Sequence, residues 1–339
     1  MQLILLLTFL VFVFYNTTKA NTTPKNFGDL TETTGFRGML AIIVVLSHIG
    51  LTTSNYFDGF GIIGVSGFFF LSGYCLFEGL KNKANYLKGI NFIFKRLITV
   101  LIPYYICLIL YIAILHNNFN LITIIQSILL VNYTVVSYSW YVAVILIFYL
   151  AFYIIFKFSR NIKHGILIFL IFNLIYMIIA KIIVQQRYIF CSSYCFSLGL
   201  IYSYKIKDIN LIIKNINYKL LFLVATIIFI LYLILNFKLN FNGPLETLYT
   251  LGLPAIFTIW FLLFFSIFNF GNKFNEFLGK ISYEIYLLQG LVFTLLKSYF
   301  HIENDLIFII FSLIIITILS IIINYVYKLV FSKLIIFLK

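Results

Sequence analysis

Two polar side chains interrupt the apolar stretch of residues 35–50, and their types suit acid–base chemistry. Arg37 stands near its start and His48 near its end. Eleven positions at about 100° per residue bring the second side chain back to the same helix face, about 16 Å further along the axis. A neutral imidazole can act as a general base near neutral pH, and a guanidinium suits phosphate or carboxylate. Ionisable residues inside a membrane helix are functional candidates, so this pair predicts a site.

Both residues also have a purely structural interpretation. His48 would be a structural histidine if it hydrogen-bonded to Ser47 or to a neighbouring helix. Arg37 alone would be a positive charge that fixes membrane topology. The other histidines fall at the ends of apolar segments or in loops, where we expect solvation: His116, His164 and His301. The alignment of Arg37 with His48 on one face is what favours a site.

A glycine- and serine-rich stretch and a basic loop could supply binding groups. Residues 61–74 predict either close helix packing or, at Ser72 and Gly73, approach of the backbone to a substrate. The basic loop that follows ends in Lys95 and Arg96, which could hold phosphates or only mark the cytoplasmic side. Spacing by itself leaves both alternatives open.

Two later stretches carry aromatic and amide side chains. Trp140 and Tyr141 open an apolar segment at its outer end, as aromatic residues at a membrane interface do. Gln289 lies deep in a later apolar segment, where a carboxamide needs a partner in the helix bundle. Tyr283 and Glu284 precede it, nearer the cytoplasmic end.

The composition defines the class of protein. Of 339 residues, 63% are hydrophobic and 10% are charged, whereas soluble domains contain about 25% charged residues. We therefore predict an all-α, polytopic transmembrane helical bundle. The net charge of +14 follows from few acids and basic loops, and no basic stripe suggests nucleic acid as a partner. Cys191 and Cys195 would share a helix face but have no His or acid ligands adjacent to them, so we expect no metal site and interpret the four cysteines as ordinary buried residues.

About ten membrane spans are predicted. A further apolar segment at residues 120–137 is predicted to be re-entrant or interfacial. The predicted spans are residues 36–52, 60–78, 97–115, 139–156, 165–184, 188–204, 219–237, 247–268, 281–300 and 306–327.

The basic residues orient these spans. With the residues before the first span inside, all but four of the 24 Lys and Arg residues fall on the inner side. The four exceptions are Lys181, Arg187, Lys238 and Lys297. This bias places residues 20–34 and the C-terminus in the cytoplasm. A cleaved signal peptide would invert every loop, so the short apolar segment 3–15 is interpreted as an anchor or interfacial segment.

The motifs, taken in order, resemble those of the acyltransferase-3 family of bacterial integral-membrane acyltransferases. The strongest are Arg37 and His48 with ten residues between them, and FFFLSGY at residues 68–74. Weaker matches are Lys95 and Arg96 with Pro103, the pair Trp140–Tyr141, and ISYEIYLLQ at residues 281–289. Gln289 stands where many members of the family have histidine.

This resemblance implies an enzyme that transfers an acyl group, usually acetyl, from a coenzyme A thioester to a hydroxyl. The acceptors would be surface glycans, glycolipids or other exported carbohydrates. His48 would act as a general base or carry the acyl group as an acyl-imidazole. Arg37 would hold the donor or the oxyanion, with coenzyme phosphates on Lys95 and Arg96. Further candidates for substrate contacts are Ser72, Gly73, Trp140, Tyr283 and Gln289.

The residue pattern and this resemblance together suggest three parts and a location. These are a hydrophobic segment and linker at residues 1–34, the membrane acyltransferase domain at 35–328, and a basic amphipathic tail at 329–339 that lies on the inner membrane surface. We expect the protein in the cytoplasmic membrane, with the lipid bilayer, acyl-CoA and a glycan as partners and no permanently bound cofactor.

Two other classes of membrane protein share many spans and an intramembrane polar site. A glycolipid transporter or flippase would show internal repeats with matching broken helices, and the glycine-rich stretch has no counterpart in the second half. A glycan polymerase would need a large external loop, and the predicted external loops are short. The acyltransferase interpretation is therefore preferred.

Overall fold

The computed structural model describes residues 18–19, 30–52, 60–83, 86–87, 91–115, 119–238, 243–269 and 272–337. The predicted anchor segment 3–15 lies outside them. The architecture is an all-α bundle, which confirms the predicted fold class. The α-helices are α1 (Leu30–Thr52), α2 (Phe60–Asn82), α3 (Asn91–Leu115), α4 (Leu121–Ile128), α5 (Trp140–Phe158), α6 (Ile162–Ile183), α7 (Arg187–Cys191), α8 (Tyr194–Asn215), α9 (Tyr218–Lys238), α10 (Pro244–Ile267), α11 (Lys273–Lys280), α12 (Ser282–Thr294) and α13 (Asp305–Phe337).

Irregular backbone links some of these helices. A π-helix at Leu295–Tyr299 follows α12 directly. Two short strands, β1 (Thr18–Lys19) and β2 (Phe268–Asn269), pair antiparallel, with Thr18 opposite Asn269.

Eight helices in the described part are long and apolar enough to cross a membrane: α1, α2, α3, α5, α6, α9, α10 and α13. The other two predicted spans are interrupted. The sixth is divided into α7 and α8 by a turn at residues 192–193, and the ninth passes from α12 into the π-helix. Helix α13 continues without a break to Phe337, so residues 329–337 of the predicted tail are helical and continuous with the last span.

Glycines allow α1 to pack closely on two sides. A Cβ added at Gly67 of α2 would lie 2.6 Å from the Leu40 side chain, and one at Gly38 would lie 2.6 Å from the Asn275 carbonyl oxygen. At the other end of α1, Gly61 packs against Ser47. Because backbones can approach only where side chains are absent, these positions explain the glycine-rich pattern as helix packing. Helix α1 is thereby enclosed by α2, α11 and α12.

The segment predicted to be re-entrant contains one short helix followed by irregular chain. Helix α4 begins after Asn120, whose side chain accepts a hydrogen bond from Thr123 N. Beyond α4 the chain runs irregularly to Ser139, just before α5. Tyr104 of α3 donates a hydrogen bond to the Ser127 carbonyl. We call residues 129–139 the crossing segment, since it carries the chain from α4 back to the bundle.

Candidate functional site

His48 faces the interior of the bundle and meets Gln289 of α12. The distance between His48 Nδ1 and Gln289 Oε1 is 2.9 Å. Because a carboxamide oxygen only accepts, Nδ1 carries the proton and the lone pair remains on Nε2. Gln289 is completely buried, whereas His48 keeps some accessible surface. The imidazole is therefore anchored through one nitrogen, and the nitrogen able to take a proton is the other.

Tyr138, from the crossing segment, covers one face of the imidazole. The two rings stack with centroids 3.8 Å apart and planes 13° from parallel. Tyr138 has φ 67°, in the left-handed region. That conformation costs a residue with a Cβ about 1–2 kcal/mol, so surrounding contacts must impose it. One of them is a hydrogen bond from the Tyr286 hydroxyl to the Tyr138 carbonyl oxygen.

Tyr111 of α3 contacts the backbone of α12 where that helix presents Gln289. The Tyr111 hydroxyl donates to the Leu287 carbonyl at 3.1 Å and accepts from Leu291 N at 2.7 Å. In an α-helix these two groups belong to the same turn, so the phenol bridges the backbone on either side of Gln289. Gly290 provides the necessary space, because a Cβ there would lie 2.9 Å from the Tyr111 hydroxyl. Tyr111 thus helps to fix the position of the backbone turn that carries the Gln289 side chain.

Arg37 lies at the opposite end of α1, and its hydrogen bonds to other described residues are long and stay within that helix. Its Nε donates to the Thr33 carbonyl and its guanidinium to Thr34 Oγ1, both at 3.4 Å. Since α1 is continuous from Leu30 to Thr52, the axial separation between Arg37 and His48 is about 16 Å. The two residues therefore occupy opposite ends of one helix rather than a single contact site.

Arg96 and Cys75 lie at the same end as Arg37. Helix α2 packs antiparallel to α1, with Gly61 at Ser47 and Gly67 at Leu40, so Cys75 lies toward the Arg37 end. The Tyr86 hydroxyl that binds Arg96 packs at Gly79 of α2, one turn beyond Cys75. Cys75 is exposed, whereas the other three cysteines are buried. The Arg96 guanidinium donates to the Tyr86 hydroxyl at 2.9 Å and lies 5.7 Å from the Tyr149 ring centroid. We refer to Arg37, Cys75 and Arg96 as the arginine cluster.

Two lysines near this end differ in how readily they could bind an anion. Lys95 is exposed on α3. Lys81 instead forms an ion pair with Glu78 at 2.6 Å and donates to the Ser203 carbonyl at 2.8 Å. A paired lysine contributes less to the attraction of an anion, so Lys95 and the arginines are the cations best placed to bind one.

The remaining predicted site residues lie in the wall of the bundle. Ser72 lies close to Tyr141, and Gly73 packs directly on the Phe196 carbonyl of α8. Tyr283 donates its hydroxyl to the Val100 carbonyl at 3.0 Å. Trp140 is 8% exposed and packs on Tyr188 with ring centroids 5.4 Å apart. None of these contacts shows a substrate, so their predicted binding roles remain predictions.

A groove of about 350 Å³ opens between α5, α6 and the crossing segment. Its lining includes Trp140 and Ser139 but neither His48 nor Arg37. The walls are mostly apolar and include Ile147, Ile175, Ile179 and Ile183, which are exposed on the outer faces of their helices.

Sequence reasoning missed three residues at the two ends of α1. The sequence contains no pattern that singles out Tyr138, because only the tertiary structure places the crossing segment over His48. Tyr111 was one of 25 tyrosines in the chain, and Cys75 was interpreted as an ordinary buried cysteine. Glu284, which could have reached the membrane surface, is instead buried and accepts a hydrogen bond from Asn324 at 2.9 Å.

Comparison with known proteins agrees with the motifs. A family model described as an acyltransferase domain, that of the acyltransferase-3 family, matches residues 30–325. No curated protein and no solved structure matches the chain significantly. The match runs from the first residue of α1 into α13 and covers both ends of the candidate site. The chain belongs to the acyltransferase-3 family of membrane acyltransferases.

Proposed function

We propose that this protein is an O-acyltransferase of the cytoplasmic membrane. It transfers an acyl group, acetyl in the usual case, from acyl-CoA to a hydroxyl of a surface glycan or another exported carbohydrate. The observation that supports this most directly is His48, anchored through Nδ1 to Gln289 and free at Nε2 among the described residues. An imidazole held in this tautomer is prepared to accept a proton.

The transfer step requires one base and one leaving thiolate. His48 Nε2 takes the proton from the acceptor hydroxyl as its oxygen attacks the thioester carbonyl carbon. The tetrahedral intermediate then collapses, the carbon–sulfur bond breaks, and the thiolate of coenzyme A takes the proton from the imidazolium. A two-step route, in which Nε2 first accepts the acyl group and then passes it to the hydroxyl, uses the same nitrogen.

The arginine cluster is suited to the phosphates of the donor. A guanidinium group can donate two hydrogen bonds to one phosphate, and Arg37, Arg96 and the exposed Lys95 lie at this end of the bundle. The pantetheine arm of coenzyme A is long and flexible, so phosphates at this end are compatible with a thioester near His48. Arg37 is about 16 Å from His48 along α1, too far to stabilise an oxyanion there. We therefore assign Arg37 to the donor.

The membrane orientation predicted from the basic loops also supports this assignment. The positive-inside bias of the loops places the arginine cluster on the cytoplasmic side, where acyl-CoA is made. The His48 end then faces the side to which carbohydrates are exported.

The test compares cell-surface carbohydrate with and without the protein by mass spectrometry. We expect O-acetyl groups to disappear when the protein is absent, and to return with the wild-type chain but not with His48→Ala. His164→Ala is the matched control, because His164 is exposed at the start of α6. If His48→Ala, inserted at normal levels, restores full acetylation, the assignment of the base is wrong. If carbohydrate is missing from the surface altogether, a transporter or polymerase is favoured.

A further inference from the structure

We infer that the Gln289 carboxamide is part of the catalytic machinery, with a separate task for each of its two polar atoms. Its oxygen holds His48 in the Nδ1–H tautomer, and its nitrogen donates hydrogen bonds to the thioester carbonyl oxygen as negative charge develops there. This inference rests on the proposed acyl transfer and names the oxyanion donor that Arg37 is too distant to be.

The first task follows from the contact at 2.9 Å between His48 Nδ1 and Gln289 Oε1. A neutral imidazole exchanges between two tautomers in water, and only the one with hydrogen on Nδ1 leaves Nε2 basic. The carboxamide oxygen stabilises this tautomer and fixes the ring orientation, and the Tyr138 stack restricts the ring further. Gln289 thus has the orienting role that a carboxylate has in a Ser-His-Asp triad, without adding a charge to the bundle interior.

The second task follows from the carboxamide nitrogen of Gln289, which lacks a hydrogen-bond acceptor among the described residues. Gln289 Nε2 is fully buried and has no hydrogen-bond partner among the described residues. A buried donor without a partner costs about 1–3 kcal/mol, so a bound group that supplies an acceptor would recover this energy. The nitrogen shares a carbon with the oxygen that contacts His48, so it lies beside the imidazole. Any group that accepts a hydrogen bond from Gln289 Nε2 would therefore lie close to the His48 imidazole, which is the proposed base.

Of the oxygens present during acyl transfer, the thioester carbonyl gains the most negative charge. Fixed N–H donors in a site that excludes water stabilise such an oxyanion strongly, because they need no reorganisation when the charge appears. The backbone that carries Gln289 is held as well, since the Tyr111 hydroxyl hydrogen-bonds to both Leu287 and Leu291. The geometry thus places a proton acceptor and an oxyanion donor around one small volume.

Three variants of the full-length protein separate the two tasks. Gln289→Met has neither an acceptor nor a donor; Gln289→Glu keeps an acceptor for Nδ1–H but has no N–H; Gln289→His restores one ring donor and one ring acceptor. The assay uses acetyl-CoA and surface polysaccharide freed of O-acetyl groups by mild alkali, and free coenzyme A is measured by chromatography. Gln126→Met is the matched control, because its carboxamide lies on α4 and contacts Asn132 at 3.1 Å.

We expect kcat to fall about 100-fold or more in both Gln289→Met and Gln289→Glu, with the KM for acetyl-CoA changed less than about threefold. Gln289→His should keep kcat within about tenfold of the wild type, because it retains a donor. If Gln289 had only a structural role, Gln289→Glu should keep a higher kcat than Gln289→His, since Glu has nearly the shape of Gln and His does not. Membrane levels of each variant, measured by fluorescence-detected size exclusion, control for folding.

The outcomes distinguish this inference from the function on which it rests. No acetyl transfer by the wild-type chain means that the proposed function fails. Transfer by the wild type with kcat unchanged in Gln289→Glu overturns the donor role, and unchanged kcat in Gln289→Met overturns both roles.

Discussion

The two ends of α1 are built in different ways. At one end, His48 is fixed by a hydrogen bond from α12 and a stacked ring from the crossing segment, and α12 is itself held by Tyr111. At the other end, Arg37 has two hydrogen bonds of 3.4 Å within its own helix, beside the exposed Cys75. Bond formation needs groups already in position, whereas binding of a flexible polyanion tolerates mobile charges. The difference therefore suggests chemistry at His48 and donor binding at Arg37.

Removal of charge at the arginine cluster should affect donor binding and leave the chemical step intact. We expect Arg37→Ala to raise the KM for acetyl-CoA about 10- to 100-fold, since a hydrogen bond to a charged group contributes about 1.5–3 kcal/mol. Steady-state kinetics on purified protein measure this. Lys81→Ala is the control, because Lys81 is already paired with Glu78. A loss confined to kcat would contradict the division between the two ends.

Removal of the Tyr111 hydroxyl should disturb the His48 end without touching His48. We expect Tyr111→Phe to lower kcat about tenfold and to reduce the free energy of unfolding by about 1–3 kcal/mol, because Leu287 and Leu291 lose their bridging partner. Thermal unfolding and kinetics measure the two effects. Tyr232→Phe removes a comparable hydroxyl, which donates to the Tyr249 carbonyl at 2.9 Å, far from the site along the chain. Equal kinetic effects in both variants would argue against a positioning role for Tyr111.

The Tyr138 ring should contribute less. A stacked aromatic pair contributes about 0.5–1.5 kcal/mol beyond burial, so Tyr138→Ala should lower kcat about 2- to 10-fold. Tyr138→Phe keeps the stack on His48 and should remain close to the wild type. If Phe is as impaired as Ala, the hydroxyl rather than the stack is what matters.

Cys75 offers a measurement that leaves the chemistry unchanged. It is the exposed cysteine, so N-ethylmaleimide should label it first, and Cys75→Ser should abolish that labelling. If bound coenzyme covers the arginine cluster, saturating coenzyme A should slow the labelling about twofold or more. Labelling at an unchanged rate would indicate that the donor binds elsewhere.

Much of the fold could be predicted from the sequence, because membrane spans depend on local properties. Long apolar runs at helical length gave the eight spans and the helical parts of the other two. The breaks at residues 192–193 and 295–299 could not be predicted, because they depend on packing between helices. Gly73 shows the same limit, since only the position of α8 decides that it packs on Phe196.

The sequence by itself determined that Arg37 and His48 share one helix face about 16 Å apart, because helix periodicity is a local property. Tertiary structure alone decided which groups surround each residue. Gln289 reaches His48 from 241 residues further along the chain, and Tyr138 reaches it through an irregular segment. Such contacts depend on how α1, α12 and the crossing segment pack together. Hydrogen bonds and ring stacking act over a few ångströms, so they exist only after the bundle has formed.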